Sequence, residues 1–197
     1  MPSRMKSKPL VLGITGAFGS GKSTVAEFFK STGFEKITLS SFLEEEIKKR
    51  GNKKKVTRKM LQDMGNNLRK KFGAGILGKK ASELLQEKLI KRAVIDGIRN
   101  VSEIDELKKD VNFTLISIIS DRNVRFERLR KLKRREDLTK DLFEKLDRRD
   151  LGLRQKETGL HVATCIALAD VFIDNNNSEE EFRKKLKKFL DKIEESL

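Results

Sequence analysis

The chain has 197 residues, with 45 Lys or Arg against 30 Asp or Glu, a formal net charge of +15 at pH 7. That length suits one domain with a sizeable core, and apolar residues recur periodically despite a charged fraction of 38%, which points to a folded chain rather than a disordered one. No apolar run is long enough to span a membrane, no signal-peptide core follows the basic start, and the single Cys165 has no second cysteine to pair with, so the expected location is the cytoplasm.

In chain order, Leu10 to Ile14 is an apolar run of strand length. It is followed by Gly16-Ala17-Phe18-Gly19-Ser20-Gly21-Lys22-Ser23, which fits the phosphate-binding loop pattern G-x-x-x-x-G-K-[ST] without mismatch. Thr24 then opens a helical pattern to about Lys30, and this strand–loop–helix context makes the motif specific. The glycines let the backbone curl so that successive N–H groups converge on phosphate oxygens. The following helix adds its free N–H groups and positive dipole end. Lys22 is expected to reach the β- and γ-phosphates, and the Ser23 hydroxyl to ligate Mg²⁺.

Beyond Gly33, Glu35 to Leu39 reads as a second strand, and Ser41 with Glu44 fits a capping box opening a helix to about Arg50. Thr57 begins a helical segment ending near Phe72-Gly73, and a further helix covers about Ala74 to Ile90. Ala93 to Asp96 is an apolar run ending in a carboxylate, Val101 to Lys109 a short amphipathic helix, and Phe113 to Ile119 a doubly apolar, β-branched strand. Helices are expected over Asp137 to Arg149 and Glu157 to Ala169, then a strand at Val171 to Ile173 and a closing amphipathic helix capped by Ser178. Strands alternating with helices predict an α/β fold with a parallel sheet covered on both sides and ligands at the strands' C-terminal edge. Asp96, Arg99, Ser120 and Asp121 should share that edge with the glycine loop.

Asp96 there can hold Mg²⁺ through water or accept the acceptor's proton, and Arg99 can clamp a phosphate of the second substrate. Arg58 and Arg69, on the helices after the second strand, are further candidates for the acceptor. Arg122, Arg125, Arg128, Arg130, Lys131, Lys133, Arg134 and Arg135 fall within fourteen residues and read as a lid whose arginines stabilise charge on a transferring phosphoryl group. If so, residues 122–140 should lie over the loop at Gly16. The competing reading of the same run, supported by the basic excess, is an NTP-dependent nucleic-acid-binding or regulatory protein. The absence of Trp and Tyr leaves it little material for base stacking. His161 and Cys165 read as packed residues, and no Cys/His metal cluster is evident.

With these residues in place, the chain resembles the dephospho-CoA kinase and nucleoside monophosphate kinase group of P-loop enzymes. Ile14 to Ala26 looks like the opening of dephospho-CoA kinases, Arg125-Phe126-Glu127-Arg128-Leu129 is similar to the approach to their lid, and Ala169 to Asn176 to their last strand and nucleotide-base loop. The middle, through Leu39 to Glu46 and Val94-Ile95-Asp96-Gly97-Ile98-Arg99, is closer to a largely archaeal family of adenylate-kinase-like proteins. The likeness implies one P-loop NTPase domain with a five-stranded parallel sheet. Its core would cover about 8–40, 91–121 and 165–197, its acceptor-binding helices about 41–90 and its arginine-rich lid about 122–150. It further implies ATP with Mg²⁺, transfer to a small phosphorylated metabolite (dephospho-CoA first, a nucleoside monophosphate second), and no membrane partner. Lys22, Ser23 and Arg128 carry over as phosphate, metal and lid residues, and Asn175 and Asn176 as lining for the base, beside loop residues Gly16 to Thr24. One departure stands out: dephospho-CoA kinases usually place Asp-x-Asp after the second strand, where this chain has Leu39-Ser40-Ser41 and no carboxylate before Glu44. Either Asp96 takes over as base or the acceptor differs.

Overall fold

The computed structural model describes residues 8–109, 111–132 and 137–195. Five strands form one parallel sheet in the order β2-β3-β1-β4-β5, with β1 at Leu10–Thr15, β2 at Glu35–Thr38, β3 at Arg92–Asp96, β4 at Asn112–Ile119 and β5 at Val171–Asp174. The central strands run apolar on both faces because each is covered twice. Val11, Ile95 and Leu115 point into a core layer with α2 (Leu39–Lys49), α3 (Arg58–Phe72), α4 (Ile76–Glu87) and α5 (Val101–Lys108). Leu12, Val94 and Ile116, one residue along in each strand, point the other way onto α1 (Lys22–Ser31) and α9 (Glu179–Glu195). The remaining helices are α6 (Arg122–Leu132), α7 (Lys140–Leu151) and α8 (Val162–Ala167).

Several helix starts differ from the sequence pattern. Ser41 does not cap α2: β2 passes directly into the helix, Thr38 is the extended N-cap residue, and Ser41 Oγ donates to Thr38 O at 2.7 Å. The helix expected from Ala74 starts at Ile76, after Gly75. The one expected from Asp137 starts at Lys140, where Thr139 Oγ1 accepts from Leu142 N at 3.2 Å. The helix expected from Glu157 is only Val162–Ala167, with His161 as its N-cap residue. Its expected first turn is instead a loop held by Asn100, whose Nδ2 donates to Glu157 O and Gly159 O. Among the described residues no helix is long and apolar enough to cross a membrane.

Candidate functional site

The C-terminal ends of β1, β2 and β3 open into a cleft of about 790 Å³. The glycine loop forms its floor. Gly21 takes a left-handed conformation, φ 103°, which points the chain into α1. A Cβ there would lie 2.3 Å from Asn175 Nδ2, which donates to Ser20 O at 2.8 Å. Asn175 therefore holds the loop in shape from β5. Gly21→Ala is expected to weaken nucleotide binding and to cost about 1–3 kcal/mol of stability through the strained φ and the displaced Asn175. Nucleotide titration and urea unfolding of the variant measure both.

Lys22 is buried, and its Nζ donates to Gly16 O at 2.6 Å and Ala17 O at 2.8 Å. Burial, then Arg99 and Arg58, push its ammonium down to about 7 against the pull of Asp150 and Asp96. An anionic phosphate arriving in the loop would pull that value back up. Nucleotide binding should then take up close to one proton per site at pH 8, where free Lys22 is largely neutral, and little at pH 6, where it is already charged. Calorimetry in buffers of different ionisation enthalpy reads this, and zero uptake at pH 8 would contradict it. The sign for stability is separate: the folded value lies below the unfolded one, so the unfolded chain holds the extra proton above pH 7. Lys22 thus makes stability rise from about pH 7 towards the ordinary lysine range.

Ser23 Oγ, at the head of α1, is 3.4 Å from Asp96 Oδ2 at the end of β3. These are hard oxygen donors beside a phosphate loop, the chemistry Mg²⁺ selects when its other positions go to phosphate and water. Among the described residues no group of three or more His, Cys, Asp or Glu could hold a metal without such help.

The cleft is also lined by Arg58, Arg99, Thr38, Ser40, Ser41 and Glu44. Arg58, first residue of α3, pairs with buried Asp150 of α7 and lies 4.7 Å over the Phe18 ring. Gln62 Nε2 donates to the other Asp150 oxygen at 2.9 Å. Burial pushes the Asp150 carboxyl up, but Arg58, Arg99, that hydrogen bond and Lys22 outweigh it and hold it at about 2. Arg99 lines the cleft with its Nε buried and without a hydrogen-bond partner among the described residues.

Arg69 does not join them. It is 2% exposed and donates from Nε and Nη2 to Glu103 Oε1 at 3.0 and 2.6 Å. Glu103 Oε2 accepts from the Arg99 and Asn100 amides at 2.9 and 3.1 Å. Arg69 therefore braces the loop that carries Arg99, at one remove from the cleft.

Helix α6 packs on the glycine loop: Leu129 lies where a Cβ on Gly19 would sit. Arg125, however, is a buried tie rather than a mobile arginine. It donates to Phe18 O at 2.8 Å and Ser120 O at 3.1 Å and grips Asp147 with both terminal nitrogens at 2.5 and 3.1 Å. Arg128 lines the cleft, its guanidinium donating to Asn175 O at 2.7 Å and Asn177 O at 3.3 Å. Asn176 ties the ends of β4 and β5 together, accepting from Asp121 N at 2.7 Å and Ser120 Oγ at 3.2 Å. Arg134 and Arg135, with Lys133, lie outside the described residues. Cys165 is inert: burial and Glu103 push its thiol up to about 12.

Asp147 and Asp150 went unread in the sequence, although a signal for both exists. They share a helical face with Phe143 and Leu146, so two carboxylates sit on the buried side of α7 and require cationic partners.

The strand–loop–helix, the parallel sheet and the cleft at its C-terminal edge define a P-loop NTPase, and residues 12–152 match the AAA domain family. Within that class the chain belongs to the UPF0200 family. It is 34% identical over 185 residues to the UPF0200 protein of Sulfurisphaera tokodaii, covering 93% of this chain and 97% of that one. Among solved structures, the dephospho-CoA kinase of Campylobacter jejuni shares the fold with TM-score 0.54 at 18% identity, over 94% of this chain and 98% of that one. The shikimate kinase of Acinetobacter baumannii gives the same TM-score and identity, over 97% of this chain and 96% of that one. The fold is thus one that small-molecule kinases share, and two kinases named for different acceptors fit it equally well.

Proposed function

We propose that the protein transfers the γ-phosphoryl group of Mg-ATP to a small anionic metabolite. The observation that carries this is that one cleft holds both sets of groups: Lys22, Ser23 and Asp96 at the loop, and the guanidinium groups of Arg58 and Arg99. Lys22 neutralises charge on the phosphates. Ser23 and Asp96 would hold Mg²⁺, which adds charge neutralisation when bound with the nucleotide. Arg58 and Arg99 clamp the acceptor's anionic group and hold it in line, so the protein works mainly by positioning and electrostatics. Arg128 and Asn175 border the nucleotide side.

Dephospho-CoA is the first acceptor to try and a nucleoside monophosphate the second. A hydroxyl acceptor must lose a proton, and among the described residues the carboxylates lining the cleft are Asp96, Glu44 and Glu179, of which Asp96 pairs with Ser23 at the loop. A phosphate acceptor is already ionised and needs no base.

Thermal-shift titration of wild type and Arg99→Met tests these roles. Mg-ATP should stabilise both proteins, whereas an acceptor should stabilise only the wild type. Equal loss of both effects in the variant would sink the assignment of Arg99 to the acceptor side.

A further inference from the structure

From the last turn of α2 towards α3 the chain reads Lys48-Lys49-Arg50-Gly51-Asn52-Lys53-Lys54-Lys55, six cations in eight positions and no acid among them. All six are exposed. Lys48, Lys49 and Arg50 have a local reason: they end α2, where the helix dipole favours cations, and Arg50 pairs with Glu46 at 3.1 Å. Lys53, Lys54 and Lys55 have none. They lie beyond the helix, and no ion pair holds them among the described residues. Elsewhere the cations are often neutralised locally, as on α9 by Arg183–Glu179, Lys184–Glu180 and Lys187–Asp191.

The loop is also shaped, with Asn52 Nδ2 donating to Lys54 O at 2.9 Å and Asn52 Oδ1 accepting from Lys54 N at 3.3 Å. Like charges held together on a fixed loop repel one another, and a polyanion relieves that. The loop adjoins the cleft, since Lys55 stands only three residues before Arg58, a reach of about 10 Å.

We propose that the surface of residues 48–55 docks the sugar–phosphate backbone of a nucleic-acid strand. Its composition selects this partner over an acidic protein. From 48 to 55 there is no apolar or aromatic side chain, so a protein would find no anchor to bury. A phosphodiester backbone is bound by cations alone. With no ring to stack on a base, binding reads neither sequence nor sugar. This docking surface stands independently of the phosphoryl-transfer reading.

Fluorescence polarisation with a 5′-labelled mixed-sequence 20-nucleotide RNA, and with the DNA of the same sequence, tests it across 50–200 mM salt. The full chain is compared with a loop variant, Lys53→Glu with Lys54→Glu and Lys55→Glu, and with an α9 variant of equal charge change, Lys184→Glu with Lys187→Glu and Lys188→Glu. Unchanged thermal unfolding of each establishes folding. Wild type should bind RNA and DNA alike, with a log–log salt slope of about −3.5 to −4 for five or six neutralised phosphates. The loop variant should lose about tenfold or more in affinity and the α9 variant about twofold or less. No binding at the lowest salt, equal losses in both variants, or competition by poly-glutamate as effective as by unlabelled RNA would each overturn the proposal.

Discussion

Lys22→Ala is expected to lower phosphoryl transfer by at least about 10²–10³-fold, the scale seen when a single preorganised charge-stabilising donor is removed. Three features of the site argue for so large an effect. Lys22 is buried at the head of α1 and lines the cleft. Its Nζ is held by carbonyls of its own loop at 2.6 and 2.8 Å, so it is already oriented before charge develops on the substrate. Arg125, the basic residue nearest the loop on α6, does not supply a second mobile charge, because it is engaged with Asp147 and Phe18 O. The fold should survive the change. Burial already lowers the lysine to about 7, so removing it relieves a desolvation cost rather than breaking a favourable pair. Single-turnover transfer and the urea midpoint, measured on the same preparation, separate the two effects. Near-wild-type turnover would remove Lys22 from the mechanism.

The second large effect is on stability. Arg69→Met should cost about 3–5 kcal/mol, because it leaves Glu103 charged and uncompensated inside the protein. Both partners are almost fully buried, at 2% and 0% exposure. Adding Glu103→Gln should return a large part of that loss, since a neutral amide still accepts from the Arg99 and Asn100 amides that Glu103 now holds. Urea unfolding of the two single variants and the double variant gives the coupling directly. A loss below about 1 kcal/mol for Arg69→Met would place the pair in the class of solvent-screened bridges, contrary to its burial. The surviving fraction of folded variant should also bind the acceptor more weakly than ATP, because Arg99 loses its brace.

Sequence alone revealed the features with local signals. The glycine loop, the five strands and their parallel arrangement follow from a contiguous motif and from runs of apolar residues flanked by helical patterns, and the structure has all of them. Pairings between distant charges had no such signal. In a chain with 45 basic and 30 acidic residues, nothing local distinguishes Arg58, which lines the cleft, from Arg69, which is matched to an acid 34 positions away. Arg125 was legible as belonging beside the loop but not as buried, because its partner Asp147 stands 22 residues on, across a helix boundary. The α2 start misled for a different reason: Ser41 and Glu44 have capping-box spacing, but a strand that runs straight into a helix needs its cap earlier, at Thr38. Both residues line the cleft instead, with Ser40.

The proposed activity is phosphoryl transfer from the glycine loop to an acceptor held by arginines of the same cleft. Its most direct test is mass spectrometry of small molecules after incubating the protein with Mg-ATP and a pool of acceptors holding dephospho-CoA, shikimate and the common ribo- and deoxyribonucleoside monophosphates. The prediction is that one acceptor gains the mass of a single phosphoryl group as ADP accumulates in equal amount, and that Lys22→Ala prevents both. ADP accumulating with every acceptor unchanged, or ATP left intact by a protein that binds it, would contradict the assignment of Arg58 and Arg99 to an acceptor of this class.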